Sequence, residues 1–462
     1  MKKLWLLVAA IAIVSCKKEA TVDYAVISGK ITNAEPKEMT LYSSSDRSFR
    51  EKITIAEDGT FNDTIKKFGA FSLYQGRNFT PLHLEAGNTI TINFDAKDHK
   101  NTLAITGTGS EISNYLLEKK AKENEIKGKG IDLFKKEEAD YKKAISDIKT
   151  AATELIDSKK GISADYKAKE KRNINYTYIT NLDMYKMYHA YYAKKKDFEP
   201  SDAYKKEIDD LMAEVSFNNV DDYNFSSSYK NLVSAHYRKK ANELAKKDSI
   251  SNDVASLKIY GGIKNEEIKN ALIHEASIYG ITYTSDLEAF YAAYKAAGST
   301  NEKNNAEIEK TYNILKKVSK GNPSPEFKDY ENYKGGTTSL ADLKGKYVYI
   351  DVWATWCGPC KAEIPFLKKV EKQYHGKNIT FLSISIDAKK DHKKWLDMVK
   401  EKELGGVQLF ADNDWNSQFI QDYYIKGIPK FILLDPKGTI VTPNAPRPSN
   451  KKLVELFNEL KI

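Results

Sequence analysis

Residues 346–361 read KYVYIDVWATWCGPCK. The first eight are β-branched or aromatic with hardly a break, the pattern of a strand buried on both faces. Asp351 is the one acid in that run. The strand then gives way to Cys357-Gly358-Pro359-Cys360, and a helical pattern follows to about Tyr374. Two cysteines separated by two residues where a strand turns into a helix read as a redox pair. The first cysteine meets the helix N-terminus, where free backbone N–H groups and the positive end of the dipole stabilise a thiolate. Pro359 falls in the first turn, where a missing N–H costs little. Two intervening residues return Cys360 toward Cys357. The spacing predicts Cys357 as the exposed nucleophile and Cys360 as the more buried resolving thiol.

On the C-terminal side, ITFLSISI (379–386) is a second strand, with helices expected over roughly 389–402 and 414–424. KFILLD (430–435) and TIV (439–441) form a hairpin about Pro436-Lys437-Gly438, and Ser449 is placed to cap a last helix. On the N-terminal side, Asn322-Pro323-Ser324-Pro325 reads as a stiff linker. From Ser110 to about Lys320 the apolar period is helical. Tyr141, Ile145, Ile148, Ala152 and Leu155 share one face of a helix, and Tyr178, Leu182, Tyr185, His189 and Tyr192 share one face of another. The many tyrosines are expected at the edge of this helical core with their hydroxyls in water, and His189 is expected to be structural. Residues 24–109 alternate with period two and carry turn pairs at Asp58-Gly59 and Gly87-Asn88.

The fold expected is therefore multidomain. An N-terminal antiparallel β sandwich or barrel (24–109) precedes an all-α domain (110–321) and a C-terminal α/β domain (322–462). Ahead of these lie an export signal (1–15) and a polar tether (16–23). Lys2 and Lys3 precede an apolar run, Leu4 to Val14, too short to span a bilayer. Ile13-Val14-Ser15-Cys16 resembles the bacterial lipobox, which implies cleavage before Cys16 and a lipid anchor there.

The chain has 462 residues, three cysteines and a net charge of +9 from 73 Lys+Arg against 64 Asp+Glu. The lysines are scattered among acids at helical spacing, as in KKEEADYKK (135–143), which is the pattern of solvated helix faces and poor evidence for nucleic-acid binding, so no nucleic-acid partner is expected. A structural zinc site needs about four ligands; one C-x-x-C without paired histidines does not supply them, so no metal and no cofactor are expected. Once Cys16 is set aside, Cys357–Cys360 is the one intramolecular disulfide open to the chain.

Residues from about 324 to 462, and above all WCGPC with the lead-in PEFKDYENYKGGTTSLADLKGKYVYIDVWAT and the following Glu363-x-Pro365, resemble the thioredoxin superfamily and within it the TlpA/ResA-type envelope thiol–disulfide oxidoreductases. The β-rich front resembles a domain of unknown function found ahead of such modules in envelope lipoproteins. The resemblance implies a thioredoxin fold and a protein-disulfide reductase or isomerase. It implies disulfide or dithiol proteins as substrates, a membrane electron donor of the thiol-transport type, and a periplasm-facing site in a bacterial envelope. It further implies that Ile428-Pro429 is the cis-proline segment facing the cysteines and binding substrate backbone. Asp351 becomes the buried acid that takes the proton of Cys360, and Glu363 an acid tuning the cysteines. Trp356, Gly358 and Pro359 become parts of the docking surface, with Trp353 shielding the site. Lys430 departs from the Thr frequent after that proline. A different class, an envelope binding lipoprotein whose front domains capture a ligand or unfolded chain, is also compatible with these residues. A peroxidase would not need the second cysteine of the pair.

Overall fold

The computed structural model describes residues 22–44, 46 and 49–462, so the expected signal and the lipidation site Cys16 lie outside the described residues. The chain divides into two compact units, one ending at Val233 and one from Ser234 to Ile462.

In the first unit, strands β1 (Ala25–Thr32), β2 (Glu38–Ser43), β3 (Arg50–Thr54), β4 (Thr60–Ile65), β5 (Gly69–Gln75), β6 (Asn78–Leu84), β7 (Thr89–Asp95) and β8 (Ala104–Thr108) form two four-stranded sheets, in the orders β4-β1-β7-β8 and β3-β2-β5-β6. The alternate residues Ile27, Leu41, Phe71, Leu82, Ile90 and Ile92 bury to form one apolar core. The sheets are not wholly antiparallel as expected: β1 runs parallel to β7, with Val26 opposite Thr89. Alternation fixes which face a residue takes, but it is blind to strand direction when the partners are more than 60 residues apart.

The helices of this unit are the short α1 (His99–Thr102), then α2 (Ser110–Lys127), α3 (Asp132–Lys135), α4 (Glu138–Ser158), α5 (Ala164–Tyr192), α6 (Asp202–Ala213) and α7 (Val220–Phe225). The expected apolar stripes of α4 and α5 are buried, apart from a half-buried Tyr192. The hydroxyls of the tyrosines buried in this core are not in water, whereas Tyr191 is exposed. Tyr141 donates to the carbonyl of Asn181 (2.7 Å), Tyr185 to Lys136 (2.9 Å) and Tyr204 to Leu182 (3.0 Å), while Tyr115 donates to the Glu170 carboxylate (2.7 Å). A ring carried fully into a helical core brings its O–H with it, and the O–H must then find an internal acceptor. His189 is structural, with Nδ1 against the Phe134 carbonyl at 2.8 Å.

Helix α8 (Ser227–Asp248) contains the boundary between the units. In the second unit it is followed by α9 (Asn252–Gly261), α10 (Glu266–Tyr283), α11 (Leu287–Ala297) and α12 (Glu302–Lys317). Next come β9 (Tyr330–Asn332), β10 (Thr337–Thr338), β11 (Tyr347–Trp353), α13 (Gly358–Gln373), β12 (Ile379–Ser385), α14 (His392–Glu401), β13 (Val407–Phe410), α15 (Gln418–Asp422), β14 (Lys430–Leu434), β15 (Ile440–Thr442) and α16 (Lys452–Glu459). The strands make a seven-stranded sheet in the order β10-β9-β13-β12-β11-β14-β15. Strand β11 is central, parallel to β12 and antiparallel to β14. One face packs Tyr349, Phe431 and Leu433 against Leu367 and Val370 of α13 and Leu453 and Phe457 of α16. This is a thioredoxin-like α/β domain.

The expected boundary at 321/322 falls inside the second unit. The reason is local. The buried Lys430 ammonium donates to the carbonyl of Thr282 at 2.9 Å and to the side-chain oxygen of Asn444, and Asn444 donates to the carbonyl of Thr284 at 2.8 Å. The Tyr283 ring lies 5.3 Å from the same ammonium. The end of α10 is thus bonded to the strand that follows Pro429. Among the described residues no helix is long and apolar enough to cross a membrane.

Gly107 on β8 sits opposite Ile90 at φ +99°, and a Cβ there would lie 2.1 Å from the Thr89 carbonyl oxygen. Gly107→Ala should therefore destabilise the first unit by at least about 2 kcal/mol, read as a lower denaturant midpoint.

Candidate active site

Strand β11 ends at Trp353, and the loop Ala354–Trp356 delivers the chain to α13. That loop is held by a residue the sequence reading missed. Asp387, fully buried just past β12, accepts from the Thr355 N–H (2.9 Å), the Thr355 hydroxyl (2.7 Å) and the Ser385 hydroxyl (2.8 Å). A buried carboxylate with three donors is well satisfied, and it fixes the loop to the neighbouring parallel strand. Its signal in the sequence was an Asp closing an apolar strand, which by itself reads only as a turn residue.

Cys357 is the N-cap of α13, and its Sγ accepts from the N–H of Cys360 at 3.1 Å. The two cysteines are joined as a disulfide, with Cα atoms 5.3 Å apart. Cys357 and Cys360 are 4% and 5% exposed, so the expected contrast between an open nucleophile and a buried partner is absent from the oxidised pair. The bond holds both sulfurs under the same cover. What differs is the surroundings: Cys357 meets the first-turn N–H groups, whereas Cys360 lines an internal cavity. Trp356, Gly358 and Pro359 are exposed beside the pair, and the Trp356 ring, 55% exposed, lies 6.4 Å from that of Trp415. Trp353 is core.

The Ile428–Pro429 peptide bond is cis. The next residue, Lys430, pairs with Val352 across β14 and β11, which sets the proline beside the end of β11 from which the cysteine loop departs. Burial pulls the Lys430 ammonium down to about 8, although it keeps its two oxygen acceptors.

Asp351 points into the sheet–helix layer. Its Oδ1 is sealed from solvent and has no hydrogen-bond partner. Burial, reinforced by the charges of Glu363 and Glu371, pushes its carboxyl up to about 8. Asp351 and Cys360 line the same narrow cavity, with Trp353, Glu371, Ser383 and Gln408. Glu363 is not solvent-facing. It is buried and gripped by Ser449, whose N–H and hydroxyl donate to its two oxygens at 2.9 Å each. Ser449 is accordingly not the cap expected for α16, which has Lys451 at that position. Among the described residues no cluster of His, Cys, Asp and Glu could hold a metal ion.

The arrangement can carry out thiol–disulfide exchange: a sulfur at a helix N-terminus, a second sulfur one turn on, and on the cavity that the second lines a carboxyl raised into the range of thiols. The AhpC/TSA family profile matches residues 320–442. The thiol-disulfide oxidoreductase ResA of Bacillus subtilis is 27% identical over 124 residues, covering 27% of this chain and 66% of its own. The thioredoxin-like protein YneN of the same organism is 31% identical over 123 residues, 27% of this chain and 69% of its own. The chain thus spans about two thirds of the length of the curated relatives it matches. A Bacteroides vulgatus protein, solved in solution under a thiol-disulfide oxidoreductase name, is 53% identical over 30% of this chain and 90% of its own, with a TM-score of 0.28.

Asp351 opposes folding only where it ionises in the unfolded chain and is held protonated in the folded one. That cost is absent below about pH 4, grows as pH rises, and is complete above about pH 8. Asp351→Asn should thus raise stability by about 2–4 kcal/mol at pH 7 and leave it almost unchanged at pH 3, as measured by denaturant unfolding at the two pH values.

Proposed function

Since the chain belongs, through its C-terminal domain, to the thioredoxin-like proteins that include the ResA thiol–disulfide oxidoreductases, we propose that it reduces or isomerises protein disulfides through Cys357 and Cys360. The observation that carries this reading is the Cys357–Cys360 disulfide at the N-terminus of α13, with Cys360 and the unpartnered Asp351 on one cavity.

In the reducing direction the Cys357 thiolate attacks one sulfur of a substrate disulfide. A mixed disulfide forms, and the other substrate sulfur leaves as a thiolate that takes a proton from water. Cys360 then loses its proton to Asp351 and attacks Cys357 Sγ. The Cys357–substrate bond breaks, its electron pair leaves on the substrate sulfur, and the enzyme is left as the disulfide. Two electrons have passed from the dithiol to the substrate, and a dithiol donor restores them. Trp356, Gly358 and Pro359 with Ile428 and Pro429 form the rim on which an extended substrate lies. Asp387 holds the loop that presents Cys357, and Glu363, locked by Ser449, keeps a negative charge near Asp351 that makes it a stronger base.

The finer reading follows from the N-terminal residues. Cys16 carries a lipid anchor, the mature chain is held to a bacterial envelope membrane facing the periplasm, and a membrane thiol-transport protein supplies the electrons. The Gly-Pro spacer favours the reducing direction.

Equilibration of the Cys357–Cys360 pair with glutathione or dithiothreitol buffers should give a potential below about −220 mV; a value above about −150 mV would make the protein an oxidant instead. Cys357→Ser should abolish reduction of insulin disulfides, whereas Cys360→Ser should accumulate a mixed disulfide with substrate, visible as a mass shift on a non-reducing gel.

A further inference from the structure

Helix α13 turns one stripe toward the sheet: Cys360, Ile364, Leu367 and Glu371 recur at intervals of three and four residues and all line the cavity that holds Asp351. A glutamate at an otherwise apolar position of that stripe is unexpected on packing grounds alone. The opposite wall bears three side-chain atoms that are sealed from solvent and have no hydrogen-bond partner, Asp351 Oδ1, Trp353 Nε1 and Gln408 Oε1. The space among them amounts to about 10 Å³, room for about one water.

We infer that Glu371 is the outlet of a proton path that leads from Cys360 through Asp351 and this cavity to solvent. The inference rests on the thiol–disulfide reading above and extends it to a residue three helical turns from the sulfurs.

The charged surroundings suit the role. Glu371 faces Asp351 and the Lys368 ammonium, which itself donates to the Lys402 carbonyl at 2.9 Å and lies 3.7 Å from Glu403. Asp351 faces Glu363 and Glu371, and the Tyr349 ring lies close enough to feel its charge. Burial lifts Glu371 to about 7, against about 8 for Asp351, so a proton moves between them with little free-energy difference. During resolution the Cys360 proton goes to Asp351, the new thiolate attacks Cys357 Sγ, and the substrate sulfur departs with the electron pair of the broken S–S bond. Asp351 passes its proton through the cavity to Glu371 and on to water. When a dithiol donor re-reduces the pair, a proton enters at Glu371 and ends on Cys360.

The test is stopped-flow reaction of the reduced chain with 5,5′-dithiobis(2-nitrobenzoate). Its first thionitrobenzoate release reports attack by Cys357, and its second reports attack by Cys360. Glu371→Gln should leave the first phase unchanged, slow the plateau of the second about five- to tenfold, and move its pH inflection lower, because a negative charge near Asp351 is gone; Glu371→Asp should recover part of the rate. An unchanged second phase overturns the outlet, and so does a shifted inflection without a slower plateau, which is the mark of a nearby charge alone. If Asp351→Asn slows the second phase and Glu371→Gln does not, the outlet fails while the thiol–disulfide reading stands. If the unaltered chain shows no second phase, that reading itself fails.

Discussion

A carboxyl group set on a central strand with a sealed, unpartnered oxygen is costly to build, and much of the C-terminal sheet serves to keep Asp351 in that condition. Its strand is flanked on both sides, by β12 and by β14, so no edge opens beside it. Helix α13 covers its face, and the same helix carries both Cys360 and the two glutamates whose charges add to burial in raising its carboxyl. Ser449 pins Glu363 from the far end of the chain. The consequence is a carboxyl raised into the range in which thiols themselves titrate.

The two sulfurs are treated differently by this frame even though both are covered. Cys357 depends on backbone dipoles that no side-chain substitution can remove. Cys360 borders side chains from three strands and a helix. Mutational damage to the two half-reactions should consequently separate, with rim and loop residues governing the first attack and cavity residues the second.

How much of this could be seen in the sequence follows the range of each interaction. The strand, the C-x-x-C and the helix start are neighbours in sequence, so WCGPC with its lead-in disclosed them, and Ile428-Pro429 was recognisable from its place before a hydrophobic strand. Asp351 stood out because a lone acid in an apolar run demands an explanation. Asp387, Ser449 and Glu371 did not stand out. Asp387 and Ser449 bond to positions 32 and 86 residues away, and each reads locally as an ordinary turn, cap or helix-surface residue. Glu371 could have been found by noting that it continues the Cys360-Ile364-Leu367 stripe. The buried tyrosine hydroxyls of the first unit illustrate the same limit: periodicity placed the rings on the buried faces, but the acceptors that make burial tolerable are carbonyls and a carboxylate contributed by other helices or other turns. The parallel pairing of β1 with β7 is likewise a choice that alternation of apolar residues does not encode.

Lys430 carries a consequence for how this protein can be divided. A thioredoxin-like domain is usually regarded as a transferable module, cut at the proline-rich linker before it. Here such a cut would remove the Thr282 carbonyl from a buried ammonium and the Thr284 carbonyl from Asn444, leaving unpaired polar groups next to the strand that follows the cis-proline. A piece that keeps these bonds begins upstream of Thr282.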